Sequence, residues 1–247
     1  MHTLIARGVA TMAAGALAAY GGMAPRSQIF GSTFLGDGDR NHLALTFDDG
    51  PNDVDTPRLL EVLEKHGVHA TFFLIGKYVR QRPQIVRSIF AAGHALGNHT
   101  YNHCNLIFAT PGQLRREVSD TEAAIEDAIG AKLPEPRLFR PPWGARRPDT
   151  LATLRRWGLT PVMWSVTCFD WKPTTAERVE GHATRQISRS GWRPFQIILL
   201  HDGGHLAMGA DRSASVEAAD RLISRYQTER MKFLTIPEMM AEGSRVS

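Results

Sequence analysis

From residue 42 onward, short apolar runs rich in β-branched and aromatic residues alternate with segments of helical periodicity. This alternation constrains the chain more than any other feature, because strand, helix, strand in repetition is the sequence form of parallel βα units around a sheet or barrel. Strands are expected at 43–47, 70–75, 94–98, 138–141, 161–166, 196–200 and 232–236, with helices at 55–67, 79–92, 111–129, 148–157, 175–189 and 213–229. In DTPRLLEVLEKHG, Asp55 or Thr56 is the expected N-cap and Pro57 suits the first turn. Leu59, Leu60, Val62 and Leu63 supply the apolar face, and Gly67 ends the helix. With 247 residues, 43% of them hydrophobic and 22% charged, one large α/β domain is the default.

The remaining composition mainly excludes. A net charge of +4 is spread thinly, with no basic run interleaved with aromatics, so no nucleic-acid partner is expected. Two cysteines, Cys104 and Cys168, make neither a disulfide framework nor a metal knuckle; both fall near motif residues and read as ordinary thiols close to one cleft, the alternative being a disulfide or redox pair. There is no repeat at fixed period. At the N-terminus, Arg7 precedes the uncharged stretch GVATMAAGALAAYGGMA, with an AxA pattern at Ala16-Leu17-Ala18. That stretch reads as an export signal or weak anchor, the alternative being a soluble helix or extension lying on the domain. Residues 1–41 are thus a signal-like or anchor segment with a linker, and 42–247 the domain. The expectation is a secreted or cell-envelope protein, touching membrane only through that segment, with a cytoplasmic one as the alternative.

Parallel α/β folds place their chemistry at the carboxyl ends of the strands. At those ends lie Asp48 and Asp49, then HTYNH with His99 and His103, then RPPWG at 140–144, FDW at 169–171 and LLHDGG at 199–204. His99 and His103 are four apart, so on a helical turn both imidazoles would face one way, as ligands for a borderline metal such as zinc or cobalt. A lone HxxxH also arises by chance. A carboxylate from another strand end changes the balance, since two imidazoles and a carboxylate form a catalytic ligand set with open positions.

TFDDG, HTYNH, RPPWG, DW and LLH, in this order across about residues 43–201, resemble the five motifs of the NodB-homology polysaccharide deacetylases, carbohydrate esterase family 4. The resemblance implies a deformed (β/α) barrel of about seven parallel strands and one divalent metal ion, zinc first, with cobalt, nickel or manganese as alternatives. Carried over by residue, it implies Asp48 as general base and Asp49, His99 and His103 as metal ligands. Arg140 then pairs with the base and the backbone N–H of Trp143 donates to the oxyanion. Trp143 stands where the family often has tyrosine, which bears on the groove wall. His201 matches the general acid, tuned by Asp170. Leu199 lines the acetate pocket and Trp171 forms another wall.

The implied activity is removal of N-acetyl groups from N-acetylglucosamine-containing glycans, peptidoglycan or chitin-like oligosaccharides. The alternatives are an O-acetyl xylan-type esterase or other amidase on the same centre, and a sugar-binding pseudoenzyme. His42, His66, His69, His94 and His182 read as surface or strand-edge residues, and Asp202 as a loop-structuring carboxylate. His205 is placed at the surface in preference to the site rim, and Phe72–Ile75 as buried strand.

Overall fold

The structure, a computed structural model, describes residues 15–189 and 196–246. Its central strand β1, His42–Gly50, is buried at every position, as expected of a parallel strand covered on both faces. Around it lie β2 (Thr71–Leu74), β3 (Ala95–Asn98), β4 (Arg137–Phe139), β5 (Leu159–Pro161), β6 (Val166–Thr167) and β7 (Ile197–His201). All pair in parallel, in the order β5-β4-β3-β2-β1-β7-β6, and β8 (Lys232–Phe233) pairs with the start of β1. The seven strands curve into a half-barrel, open between β5 and β6, so the expected deformed barrel is the observed one.

The period of two in β1 separates two cores. Leu43, Leu45 and Phe47 face outward, packing with Leu59 and Leu63 of α1 (Asp55–His66), Ile125 of the long helix Pro111–Ile129, and Leu222 and Ile223 of the helix Ser213–Thr228. Ala44, between them, faces the barrel interior with Phe73, Leu138, Met163 and Leu199; Ile236 and Met239, from the last helix Ile236–Val246, belong to the same inner cluster. Continuing inward from Ala44, the next positions are Thr46 and Asp48, which places the first aspartate inside the barrel mouth.

Several boundaries differ from expectation for local reasons. The helix expected at 79–92 is two, Gly76–Gln81 and Pro83–Ala91, broken at Arg82 (φ −134°) because Pro83 disfavours helical geometry in the residue before it. The cap of α1 comes from neither Asp55 nor Thr56: the Asn52 side chain accepts from the N–H groups of Val54 and Asp55. Gly67 does end that helix, at φ 61°. The strand expected at 161–166 is only the two fragments β5 and β6, and Phe34 bridges in parallel to Val162 between them. The last strand shrinks to two residues.

The sequence signal at 1–24 lies mostly outside the described residues; the described part is helical over 15–23. Arg146, buried, joins that region to the domain: its guanidinium donates to the carbonyls of Gly144, Ala24 and Ser27, and its N–H to Gly22. Among the described residues no helix is long and apolar enough to cross a membrane.

Candidate active site

Adjacent residues of a regular strand point to opposite faces, so Asp48 and Asp49 should not share a site. They do because the strand bulges. Asp48 pairs with Phe73 and Gly50 with Leu74, leaving Asp49 unpaired at φ 70°. The bulge re-aims the second carboxylate to the side of the first, so that His99 Nε2 lies 3.7 Å from Asp48 Oδ2 and 3.5 Å from Asp49 Oδ1. Left-handed backbone at a non-glycine residue costs about 1–3 kcal/mol. Close packing holds it: Gly203 lies so near that a Cβ there would sit 2.2 Å from the Asp49 carbonyl oxygen, and the N–H of Asp202 donates to the Asp48 carbonyl at 3.2 Å. Asp49, Thr100, His103, Trp143 and Phe169, five of the six described non-glycine residues with positive φ, flank this mouth, so the strained backbone is gathered where the carboxyl ends converge.

His99 and His103 are not on a helical turn, contrary to the expectation from their spacing. They sit on an irregular loop with positive φ at Thr100 and His103, pinned where Glu117 accepts from both the backbone and the side-chain nitrogens of Asn102. His99 Nδ1 lies 2.8 Å from the Arg140 carbonyl, so that nitrogen carries the proton and Nε2 offers its lone pair. His103 Nε2 is 3.2 Å from Asp49 Oδ1. One ligand atom each from Asp49, His99 and His103 falls within 4.8 Å of the others, and all three residues are buried. Asp49 Oδ1 has no hydrogen-bond partner among the described residues. A buried carboxylate oxygen without a donor, facing two imidazole lone pairs, fits a divalent cation.

The protonation states agree. Burial alone would raise the Asp49 carboxyl, but contact with His205 and the imidazoles of His201, His103 and His99 hold it well below the usual carboxylate range. Burial, reinforced by His99, pushes the His103 imidazole down to about 2. The set therefore presents a carboxylate and a neutral imidazole at neutral pH.

Arg140, fully buried, donates to Asp48 Oδ1 at 2.7 Å and to Thr46 at 2.8 Å, with its guanidinium 4.0 Å over the Phe73 ring. Opposite, His201 at the end of β7 pairs in register with Asp48. Its Nδ1 lies 2.9 Å from Asp170 Oδ1, while Asp170 Oδ2 accepts from the His201 backbone N–H and the Ser215 hydroxyl, both at 2.7 Å. Burial would depress His201, but Asp170 outweighs it and raises the imidazole to about 9. Trp171 stands edge-on to His201, and Trp143 edge-on to His103.

A cavity of about 400 Å³ is lined by Asp48, Asp49, His99, His103, Trp143, Trp171, Leu199 and His201. Arg140 and Asp170 contact Asp48 and His201 from behind. All ten expected site residues thus come to one place. Trp164 and His205 also line the cavity and were not expected there. Trp164 is hidden in sequence within an apolar run; it projects into the mouth because that run is not a continuous strand. His205 belongs to the loop after LLHDGG, whose glycines are the one local sign of a close approach. Neither cysteine lines the cavity: Cys168 is buried in the outer core and Cys104 packs against a third apolar cluster. His42 and His94 are buried rather than at the surface, the first with Nδ1 2.6 Å from Asp37 Oδ2, the second accepting from the Ala70 N–H. Asp202 is loop-structuring, as expected; it accepts from the Thr56 hydroxyl and packs against Gly50.

The sequence matches the family described as polysaccharide deacetylase over residues 36–162. The chain belongs to the polysaccharide deacetylase family. It is 39% identical to a chitooligosaccharide deacetylase of a Bradyrhizobium species across 81% of this chain and 84% of that protein. With a peptidoglycan-N-acetylglucosamine deacetylase of Bacillus cereus it shares 35% identity across 83% of this chain and 70% of the other. Among solved structures, a peptidoglycan N-acetylglucosamine deacetylase in complex with an N-hydroxybenzamide superimposes with a TM-score of 0.74 at 33% identity, covering 84% of this chain and 91% of that one. A carbohydrate esterase family 4 pseudoenzyme from Bacillus anthracis superimposes at 0.71 and 28% identity, covering 82% and 66%. By family the chain is a polysaccharide deacetylase, as its named relatives are.

Proposed function

We propose that this protein is a metal-dependent deacetylase that removes N-acetyl groups from N-acetylglucosamine units of peptidoglycan or chitin-like oligosaccharides, outside the cytoplasm. The observation that carries this reading is the bulge at Asp49, which turns two neighbouring carboxylates into one cavity opposite a histidine–aspartate pair. Asp49, His99 and His103 would hold the cation, zinc first among candidates. When bound, a divalent cation polarises a carbonyl and makes water more acidic. Asp48, anchored by Arg140, takes the proton of the attacking water. The backbone N–H of Trp143 would donate to the developing oxyanion. His201 then gives a proton to the departing nitrogen as the C–N bond breaks, leaving a free amino sugar and acetate. Leu199 and Trp164 offer an apolar surface for the methyl group, and Trp143 and Trp171 offer faces to sugar rings.

The test is acetate release from chitooligosaccharides, peptidoglycan and acetylated xylan by metal-stripped protein, with and without added Zn²⁺ or Co²⁺. Metal-dependent release that disappears in Asp48→Asn supports the proposal. Release only from acetylated xylan would move the activity to ester substrates, and none with any metal or substrate would leave a sugar-binding pseudoenzyme.

A further inference from the structure

His205 belongs to no motif by which the chain resembles its family, yet it stands against two of the three residues that would hold the cation. Its Nδ1 lies 3.6 Å from Asp49 Oδ2, whereas His99 and His103 both approach Oδ1. The two oxygens of Asp49 are thereby divided, Oδ1 toward the ligand set and Oδ2 toward His205. The His205 ring also stacks on His103, with centroids 4.5 Å apart and planes 23° apart; Trp143 meets the same imidazole edge-on at 4.3 Å.

This packing matters because the two ligand histidines are held differently. His99 is oriented by a hydrogen bond from Nδ1 to the Arg140 carbonyl, while His103 Nδ1 is buried with no hydrogen-bond partner among the described residues. A ligating imidazole normally has an outer hydrogen bond that fixes its ring, and losing that support typically costs 10–100-fold in metal affinity. For His103, the stack between His205 and Trp143 supplies the orientation instead. His205 is itself placed by backbone contacts: its carbonyl accepts from the Tyr78 hydroxyl at 3.2 Å and from Lys77 Nζ at 3.4 Å, and Tyr78 also reaches the Gly204 carbonyl.

We propose that His205 is a positioning residue of the metal centre, fixing the ring of His103 by stacking and the carboxylate of Asp49 by contact with Oδ2, so that cation affinity depends on it. The proposal rests on the metal-centre reading above. Its test is zinc affinity, measured by titrating the metal-stripped full chain against a chromophoric chelator, together with the visible absorption of the Co²⁺-loaded protein. His205→Ala should weaken zinc binding about 10–100-fold and alter the Co²⁺ spectrum. His205→Phe, which keeps the stacked ring and loses Nδ1, should fall between. Leu206→Ala, at an adjacent residue 89% exposed, should bind zinc like the unmodified protein. A His205→Ala protein that retains the native urea midpoint and binds zinc within twofold of the unmodified chain, with an unchanged Co²⁺ spectrum, overturns the proposal. Absence of zinc binding in the unmodified chain would instead overturn the metal-centre reading itself.

Discussion

Replacing Arg140 by methionine tests the anchoring of Asp48 most directly. The guanidinium is wholly buried and makes two short hydrogen bonds, to Asp48 and Thr46, with longer ones to the carbonyls of Val162 and Met163. Methionine has similar length and would lie against Phe73 and Trp164, so little packing is lost. What remains is a buried Asp48 carboxylate without its cation, and breaking a buried pair in this way costs about 3–5 kcal/mol. For a domain of this size each kcal/mol moves Tm by about 2–4 °C, so Arg140→Met should melt roughly 6–20 °C lower. Substituting Asp48→Asn in the same chain removes the stranded charge. Exchanging a whole buried pair for uncharged groups is often close to neutral, so the double variant should recover most of the loss. Urea and thermal unfolding of the four proteins, all in chelator so that cation loss is common to them, give the coupling directly. A single variant within about 1 kcal/mol of the unmodified protein, or a double variant no more stable than the single, would refute the reasoning. Turnover of the metal-loaded proteins should fall by about 10² to 10⁴ in either single variant, and the double should be little worse, because the two residues act as one unit.

Asp170→Asn removes the charge that raises His201 to about 9, so the alkaline limb of kcat/KM should move down toward the ordinary imidazole value. A general acid must be protonated; the deficit relative to the unmodified enzyme should therefore be larger at pH 8 than at pH 6, and an unmoved limb in the pH–rate profile would count against the assignment. Gly203→Ala places a Cβ against the backbone of Asp49, which cannot rotate away, and should cost about 1–3 kcal/mol in urea denaturation while weakening zinc binding. Gly209→Ala, with nothing within 4 Å, is the control and should change neither.

Much of this site was legible before folding. The alternation of apolar runs and helical segments implies parallel βα units whatever the loops do, and with them the rule that chemistry gathers at the carboxyl ends of strands. Five short motifs at those ends then name the residue types that hydrolysis needs. Proline and glycine act locally, so the stop at Gly67 was readable; the break before Pro83 was equally local but was concealed by the apolar period running through it.

Tertiary structure decided the rest, because it depends on groups far apart in the chain. HxxxH reads as one face of a helix, yet the ligand geometry comes from a loop pinned by Glu117 and oriented by the Arg140 carbonyl. Trp164 and His205 enter the cavity only once the run at 161–166 breaks into separate edge strands and the loop after β7 packs against Tyr78. The pair Asp48-Asp49 shows the division most sharply. Sequence determines that two carboxylates end a buried strand; an ideal strand would send them to opposite faces. Their meeting on one side requires the left-handed turn at Asp49, and the close approach of Gly203, more than 150 residues away, is what holds it there.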